Sequence, residues 1–123
     1  MATRSRIGIE LSDGSVLSSY HHWDGYPEWL GFILTTHYNS KGKASELIDG
    51  GDMSTCWNED GKPEYYGTDC PPILMTKEEY LDKLCNEEFA YIFTSAGWIC
   101  YDMHEFEDKD PEIVEIPSGA LVC

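Results

Sequence analysis

Apolar and polar residues alternate along Arg6-Ile7-Gly8-Ile9-Glu10-Leu11. A period of two marks a strand with one buried face. Asp13-Gly14 supplies a tight turn and Val16 to Trp23 returns, so residues 6–23 predict a β-hairpin. A two-residue turn at Asp13-Gly14 sets Leu11 opposite Val16 and Ile7 opposite Tyr20. Ile7, Ile9, Leu11, Val16, Ser18, Tyr20 and His22 then share one face, and Arg6, Glu10, Leu17, Ser19, His21 and Trp23 share the other.

The period then lengthens. Leu30, Ile33, Leu34, His37 and Tyr38 form the stripe of an amphipathic helix, with Pro27 in its first turn and Asp24 placed to cap it. A shorter helix from Lys43 to about Asp49 groups Ala44, Leu47 and Ile48 and stops at Gly50-Gly51. Residues 51–72 hold no period, yet they carry Met53, Trp57, Tyr65 and Tyr66, which favours a loop packed on the surface over a free linker. Thr76 and Glu79 make a capping box for a helix through Tyr80, Leu81, Leu84 and Cys85 to about Glu88. Phe89 to Phe93 and Trp98 to Met103 predict a second hairpin across Ala96-Gly97, and Ile113 to Ile116 an edge strand or a partner-binding segment. The expected architecture is a single α+β domain over residues 1–123. Its antiparallel sheet comes from two hairpins, at about 6–23 and 89–103, with two to three helices packed on one face.

Charge narrows the partners. The chain of 123 residues has a formal charge of −15. Residues 1–43 balance, so the excess lies in 44–123, densest in an acidic tail over 104–123 that holds Glu105, Glu107, Asp108 and Asp110. Such a field repels phosphate backbones and argues against direct nucleic-acid binding; it steers the domain toward a protein with a basic surface. No apolar run nears the roughly 18 residues of a membrane span, and Met1 to Arg6 leads into no signal-peptide core. Five cysteines without a C-x-x-C pair fit reduced thiols in a cytoplasm better than a disulfide framework.

The densest chemistry is Tyr20-His21-His22-Trp23-Asp24-Gly25-Tyr26. Two readings stay open for it, a packed strand-to-helix junction or a ligand-binding corner. In the second, Arg6, His21, His22, Trp23, Asp24 and Tyr26 meet a small anionic, nucleotide-type ligand through stacking and charge. The His21-His22-x-Asp24-Gly25 spacing is two residues short of the H-H-x-x-x-D-G of condensation domains. No paired metal-ligand spacing, phosphate loop or activated Cys–His context is present, so no metal or other cofactor is expected and the case for an enzyme is weak; the ligand-binding corner leaves a protein that sequesters that ligand, or a hydrolase of it, as the alternative. Trp57, Tyr65 and Tyr66, with Glu105, Glu107, Asp108 and Asp110, are the candidate partner-binding residues, and the strand edges offer a homodimer contact.

Thr3-Arg4-Ser5-Arg6-Ile7-Gly8-Ile9-Glu10, the Asp13-Gly14 turn, His22-Trp23-Asp24-Gly25-Tyr26-Pro27, His37-Tyr38-Asn39 and Leu47-Ile48-Asp49-Gly50-Gly51-Asp52-Met53-Ser54 carry a resemblance. So does the closing hairpin around Tyr91-Ile92-Phe93 and Gly97-Trp98. They resemble an uncharacterised family of small proteins of tailed bacteriophages, cyanophages included, and prophages. The resemblance covers about half the chain and implies a setting more than an activity. That setting is a phage accessory protein in the bacterial cytoplasm that binds and inhibits or redirects a host factor, with nucleic-acid mimicry through its acidic surface as one form.

Overall fold

Eight strands among the described residues build one open sheet in the computed structural model, which describes residues 3–67, 70–81, 88–103 and 110–116. They are β1 Ser5–Glu10, β2 Ser15–His21, β3 Met53–Thr55, β4 Glu64–Tyr65, β5 Ile73–Thr76, β6 Phe89–Thr94, β7 Gly97–Asp102 and β8 Glu112–Val114. Their order is β4-β3-β2-β1-β6-β7-β8, and β5 also pairs with β2. A π-helical turn, Pro27–Gly31, runs into α1 Phe32–His37; α2 Lys41–Asp49 follows, and α3 Lys77–Tyr80 comes after β5. The α+β class stands.

Both hairpins form, with a shifted register in the first. The Gly14 amide donates to the Leu11 carbonyl (3.0 Å) and the Leu11 amide to the Ser15 carbonyl (2.8 Å). Gly14 takes φ +87°, so the loop has three residues and ends in a left-handed glycine. Arg6 therefore pairs with Tyr20 and Glu10 with Val16. One residue of slip turns every β2 side chain over. Leu17, Ser19 and His21 lie with Ile7 and Ile9, while Val16, Ser18 and Tyr20 lie with Arg6, Gly8 and Glu10. The second hairpin closes at Thr94 and Gly97 around Ser95-Ala96, one residue earlier than Ala96-Gly97, with Gly97 at φ +106°.

The sheet is mixed, where an antiparallel one was expected. β1 pairs in parallel with β6, from Ser5 opposite Phe89 to Ile9 opposite Phe93. Parallel neighbours need a long crossover, and here everything between the two hairpins supplies it. The outer edge of β2 is shared: β5 pairs with Ser15 to Ser18, and β3 with His21. In the gap the Tyr20 amide donates to the Asp52 carboxylate (3.0 Å), so a side chain does what a strand would do.

Helices cover both faces, whereas one was expected. The π turn, α1 and α2 bring Leu30, Leu34, Leu47 and Ile48 onto Ile7, Ile9, Tyr91 and Cys100. On the opposite face Tyr80 of α3 joins Val16, Ala90, Ile92 and Tyr101. Its capping box is complete, with the Glu79 amide on Thr76 Oγ1 (3.1 Å) and the Thr76 amide on Glu79 Oε1 (3.0 Å). The continuation expected through Leu84 and Cys85 falls in residues 82–87, outside the described residues, and Glu88 at its expected end is not helical but donates its amide to the Arg4 carbonyl (2.8 Å).

Gly8 makes the room for Tyr80, whose hydroxyl donates to the Tyr91 carbonyl (2.7 Å). A Cβ at Gly8 would stand 2.6 Å from Val16 Cγ1 and 3.1 Å from the Tyr80 ring. Gly8→Ala is therefore expected to destabilise the fold by about 1–3 kcal/mol, the usual cost of overpacking, read as a lower urea midpoint at unchanged slope.

Candidate functional site

The turn after β2 is fixed from several sides. His22 and Trp23 donate their amides to the carbonyls of Met53 (3.2 Å) and Ser54 (3.1 Å), continuing the line of β3. The Gly25 amide donates to the Thr3 carbonyl (2.9 Å), and the Tyr91 hydroxyl to the Gly25 carbonyl (2.8 Å). Asp24 does not cap the following helix as its position suggested. It is exposed at φ 53°, and Tyr26, without a side-chain cap bond, holds the N-cap place before Pro27.

The expected ligand corner is split by the register of β2. His21 is fully buried, and its Nε2 accepts the Cys56 amide (3.1 Å). The imidazole proton therefore sits on Nδ1, 3.5 Å from Ser5 Oγ. Burial, and then the neighbouring His22, push its pKa down to about 3, so His21 is a neutral pin between β2 and the segment after β3. Arg6 lies on the opposite face of the hairpin, where its Nε donates to Ser18 Oγ (3.1 Å) and a terminal nitrogen to the Ser18 carbonyl (3.2 Å). His22 Nδ1 lies 2.8 Å from the Tyr20 hydroxyl, and Trp23 meets the His22 ring edge-on at 4.7 Å. Tyr26 is half-buried; burial and then the carboxylates of Asp24 and Glu28 push its phenol pKa up.

What the fold does bring together is a different set. Trp23, Trp29 and Trp57 line one open cleft of about 400 Å3. Asp24, Glu59, Asp60 and Glu64 line the same cleft, and no Lys, Arg or His does so among the described residues. Trp29 comes from the π turn and packs beside His21, while Trp23 keeps 47% of its surface exposed. The acidic wall is held by Asn58. Its Oδ1 accepts the amides of Asp60 (2.9 Å) and Lys62 (3.0 Å), and its Nδ2 donates to Glu64 (3.0 Å). Indole faces and carboxylates both attract cations, the first through the ring quadrupole and the second by Coulomb attraction.

No family profile, curated protein or solved structure matches this chain. The chemistry of the site therefore carries the functional reading.

Trp57 also lines a second cavity, of about 510 Å3, between α1, α2 and β4. His37 stacks on the indole at 3.8 Å and 16°, and Tyr38 meets it edge-on. The Tyr38 hydroxyl donates to the Cys56 carbonyl (2.9 Å) and the Tyr65 hydroxyl to the Leu47 carbonyl (2.7 Å), so both phenols are anchored. Burial raises both pKa values, that of Tyr38 to about 12. Of the expected partner-binding aromatics, Trp57 and Tyr65 thus pack partly into the core and Tyr66 is 52% exposed. Asp110 is exposed, and Glu105, Glu107 and Asp108 lie outside the described residues.

Cys56 and Cys100 are buried structural thiols. Burial pushes the pKa of Cys56 far up and that of Cys100 to about 12, so both stay protonated at neutral pH. Among the described residues no three His, Cys, Asp or Glu side chains converge as a metal would require, and no helix is long and apolar enough to cross a membrane.

Asn58, Glu59, Asp60 and Glu64 were not among the residues singled out in the sequence. Their signal was an Asn-x-Asp-Gly turn inside an aromatic loop, and nothing local joins that turn to Trp23 and Trp29, which lie about thirty residues earlier.

Proposed function

We propose that this protein is a non-catalytic binding module that captures a basic side chain of a partner protein between Trp23, Trp29 and Trp57. The observation that carries the reading is the lining of that cleft, three indoles and four carboxylates on one concave surface. A guanidinium or ammonium entering it gains ring faces and opposite charge together, and aromatic residues are the usual anchors of protein interfaces. The net charge of −15 adds long-range attraction for a basic surface. In the setting that the phage resemblance implies, the partner is a host factor of the bacterial cytoplasm, inhibited or redirected by occupancy of its basic segment. An anionic ligand is disfavoured at this place, because Arg6 lies on the other face of the hairpin and the cleft is negative.

Titration of a hexa-arginine peptide, followed by tryptophan fluorescence at two salt concentrations, tests the reading. Asp24→Asn with Asp60→Asn is expected to weaken binding at least tenfold, and Trp23→Ala alone severalfold. The control Glu78→Gln with Glu115→Gln, which removes the same charge from exposed positions outside the cleft lining, is expected to change it less than twofold. Equal losses in the two double variants would reduce the attraction to net charge and end the proposal.

A further inference from the structure

We infer that the module reads two adjacent side chains of its partner, one basic and one apolar, with the basic one in the aromatic–acidic cleft and the apolar one in the cavity beside α2. The inference rests on the cation-binding reading above and deepens it. Three observations support it. Trp57 lines both cavities, so they share a wall. The second cavity has an apolar lining in Leu47, Pro63 and the rings of Tyr38, Trp57 and Tyr65, and both phenol hydroxyls already donate to backbone carbonyls. Lys43 and Glu46 add one charge of each sign, which selects for neither.

The third observation sets the spacing. Glu64 and Tyr65 are successive residues of β4, and Glu64 lines the acidic cleft while Tyr65 lines the apolar cavity. β4 is the outermost strand at its end of the sheet among the described residues. Successive side chains of a strand point to opposite sides, so an extended segment beside β4 delivers neighbouring residues to the two cavities as β4 itself does. The occupant is therefore a strand-like peptide with Arg or Lys next to a large apolar residue, an aromatic one pairing best with the rings of Trp57 and Tyr65 that line the cavity.

The test uses four capped six-residue peptides on a Gly/Ser background, carrying Arg-Phe, Phe-Arg, Arg-Ala or Ala-Phe at the centre, titrated into the full chain and followed by tryptophan fluorescence and amide NMR shifts. The better of the two mixed peptides is expected to bind at least tenfold tighter than Arg-Ala and than Ala-Phe. Adding the phenyl group is expected to shift amides at His37, Leu47 and Tyr65 beyond those that Arg-Ala moves near Trp29 and Asp60. If Arg-Ala binds at the cleft and the phenyl group brings neither affinity nor new shifts, the two-point inference falls and the cation reading stands. If none of the Arg-containing peptides binds, both fall.

Discussion

Lowering the pH from 7 to 4 is expected to remove about 3 kcal/mol of stability through His21 alone, from linkage between its folded and unfolded pKa values. The unfolded imidazole titrates at its ordinary 6.5 and the folded one at about 3. Between those values the unfolded chain binds the extra proton, so stability is complete above 6.5 and drains away as the pH falls. The geometry gives the reason in atoms. A proton on Nε2 would face the Cys56 amide, which already points at that nitrogen from 3.1 Å. Asp13 and Glu79, whose carboxyl pKa values are held low by bonds to Ser15 and Thr76, act in the same direction but only as the pH falls below their ordinary values of 3.8 and 4.5.

Two variants isolate the effect. His21→Gln keeps an acceptor for the Cys56 amide and removes the titration. Its stability is expected to change less than that of the parent between pH 6.5 and 4.5, the region ahead of the carboxylates. His21→Leu strands the buried Cys56 amide and is expected to cost about 1–3 kcal/mol relative to His21→Gln at every pH, the desolvation cost of an unmet donor. Urea midpoints at a series of pH values would show this; parallel curves for the parent and His21→Gln would place the acid sensitivity elsewhere.

Gly50→Ala is the second large effect. Gly50 has ordinary helical backbone angles (φ −68°, ψ −14°), so what it supplies is space. A Cβ there would lie 2.0 Å from Tyr65 Cζ, inside the ring it packs against. Tyr65 must then leave its seat, giving up the bond to the Leu47 carbonyl (2.7 Å) and its packing on the core. The expected loss is about 2–4 kcal/mol, comparable with vacating a large core side chain. Because Tyr65 also walls the apolar cavity, Gly50→Ala is expected to abolish the contribution of a peptide phenyl group while the cation at Asp24 and Asp60 still binds. A thermal melt together with the Arg-Phe and Arg-Ala titrations checks both parts; an unchanged melt would mean the ring has another place to go.

Much of the fold was legible because its signals are local. The alternation from Ile7 to Leu11, the turn residues at Asp13-Gly14, the stripe from Leu30 and the Thr76–Glu79 box each span only a few consecutive residues, and each was found there. The faces of β2 were not legible, since they depend on whether Asp13-Gly14 closes two residues or three. That single count decided which of Arg6 and His21 joins the core side, and with it the candidate ligand corner. Asp24 was misread for a related reason: an acidic residue three positions before a proline suits a cap, but it suits a left-handed turn as well. The cleft was less legible still. Trp23, Trp29 and Trp57 stand in a turn, a helix start and a loop without period, and long-range contacts such as the His21–Cys56 bond and the line of β3 bring the loop to the turn.

The parallel pairing of β1 with β6 has a consequence for how the chain reaches this state. Of the described strands β1 is made first, yet it lies in the interior of the sheet, and its second neighbour begins only at Phe89. A nascent chain shorter than that carries β1 with one edge bare and its Ile7 and Ile9 only partly covered. Closing so long a loop must come before the contacts that reward it, so this pairing is expected to form later, and to slow folding more, than either tight hairpin.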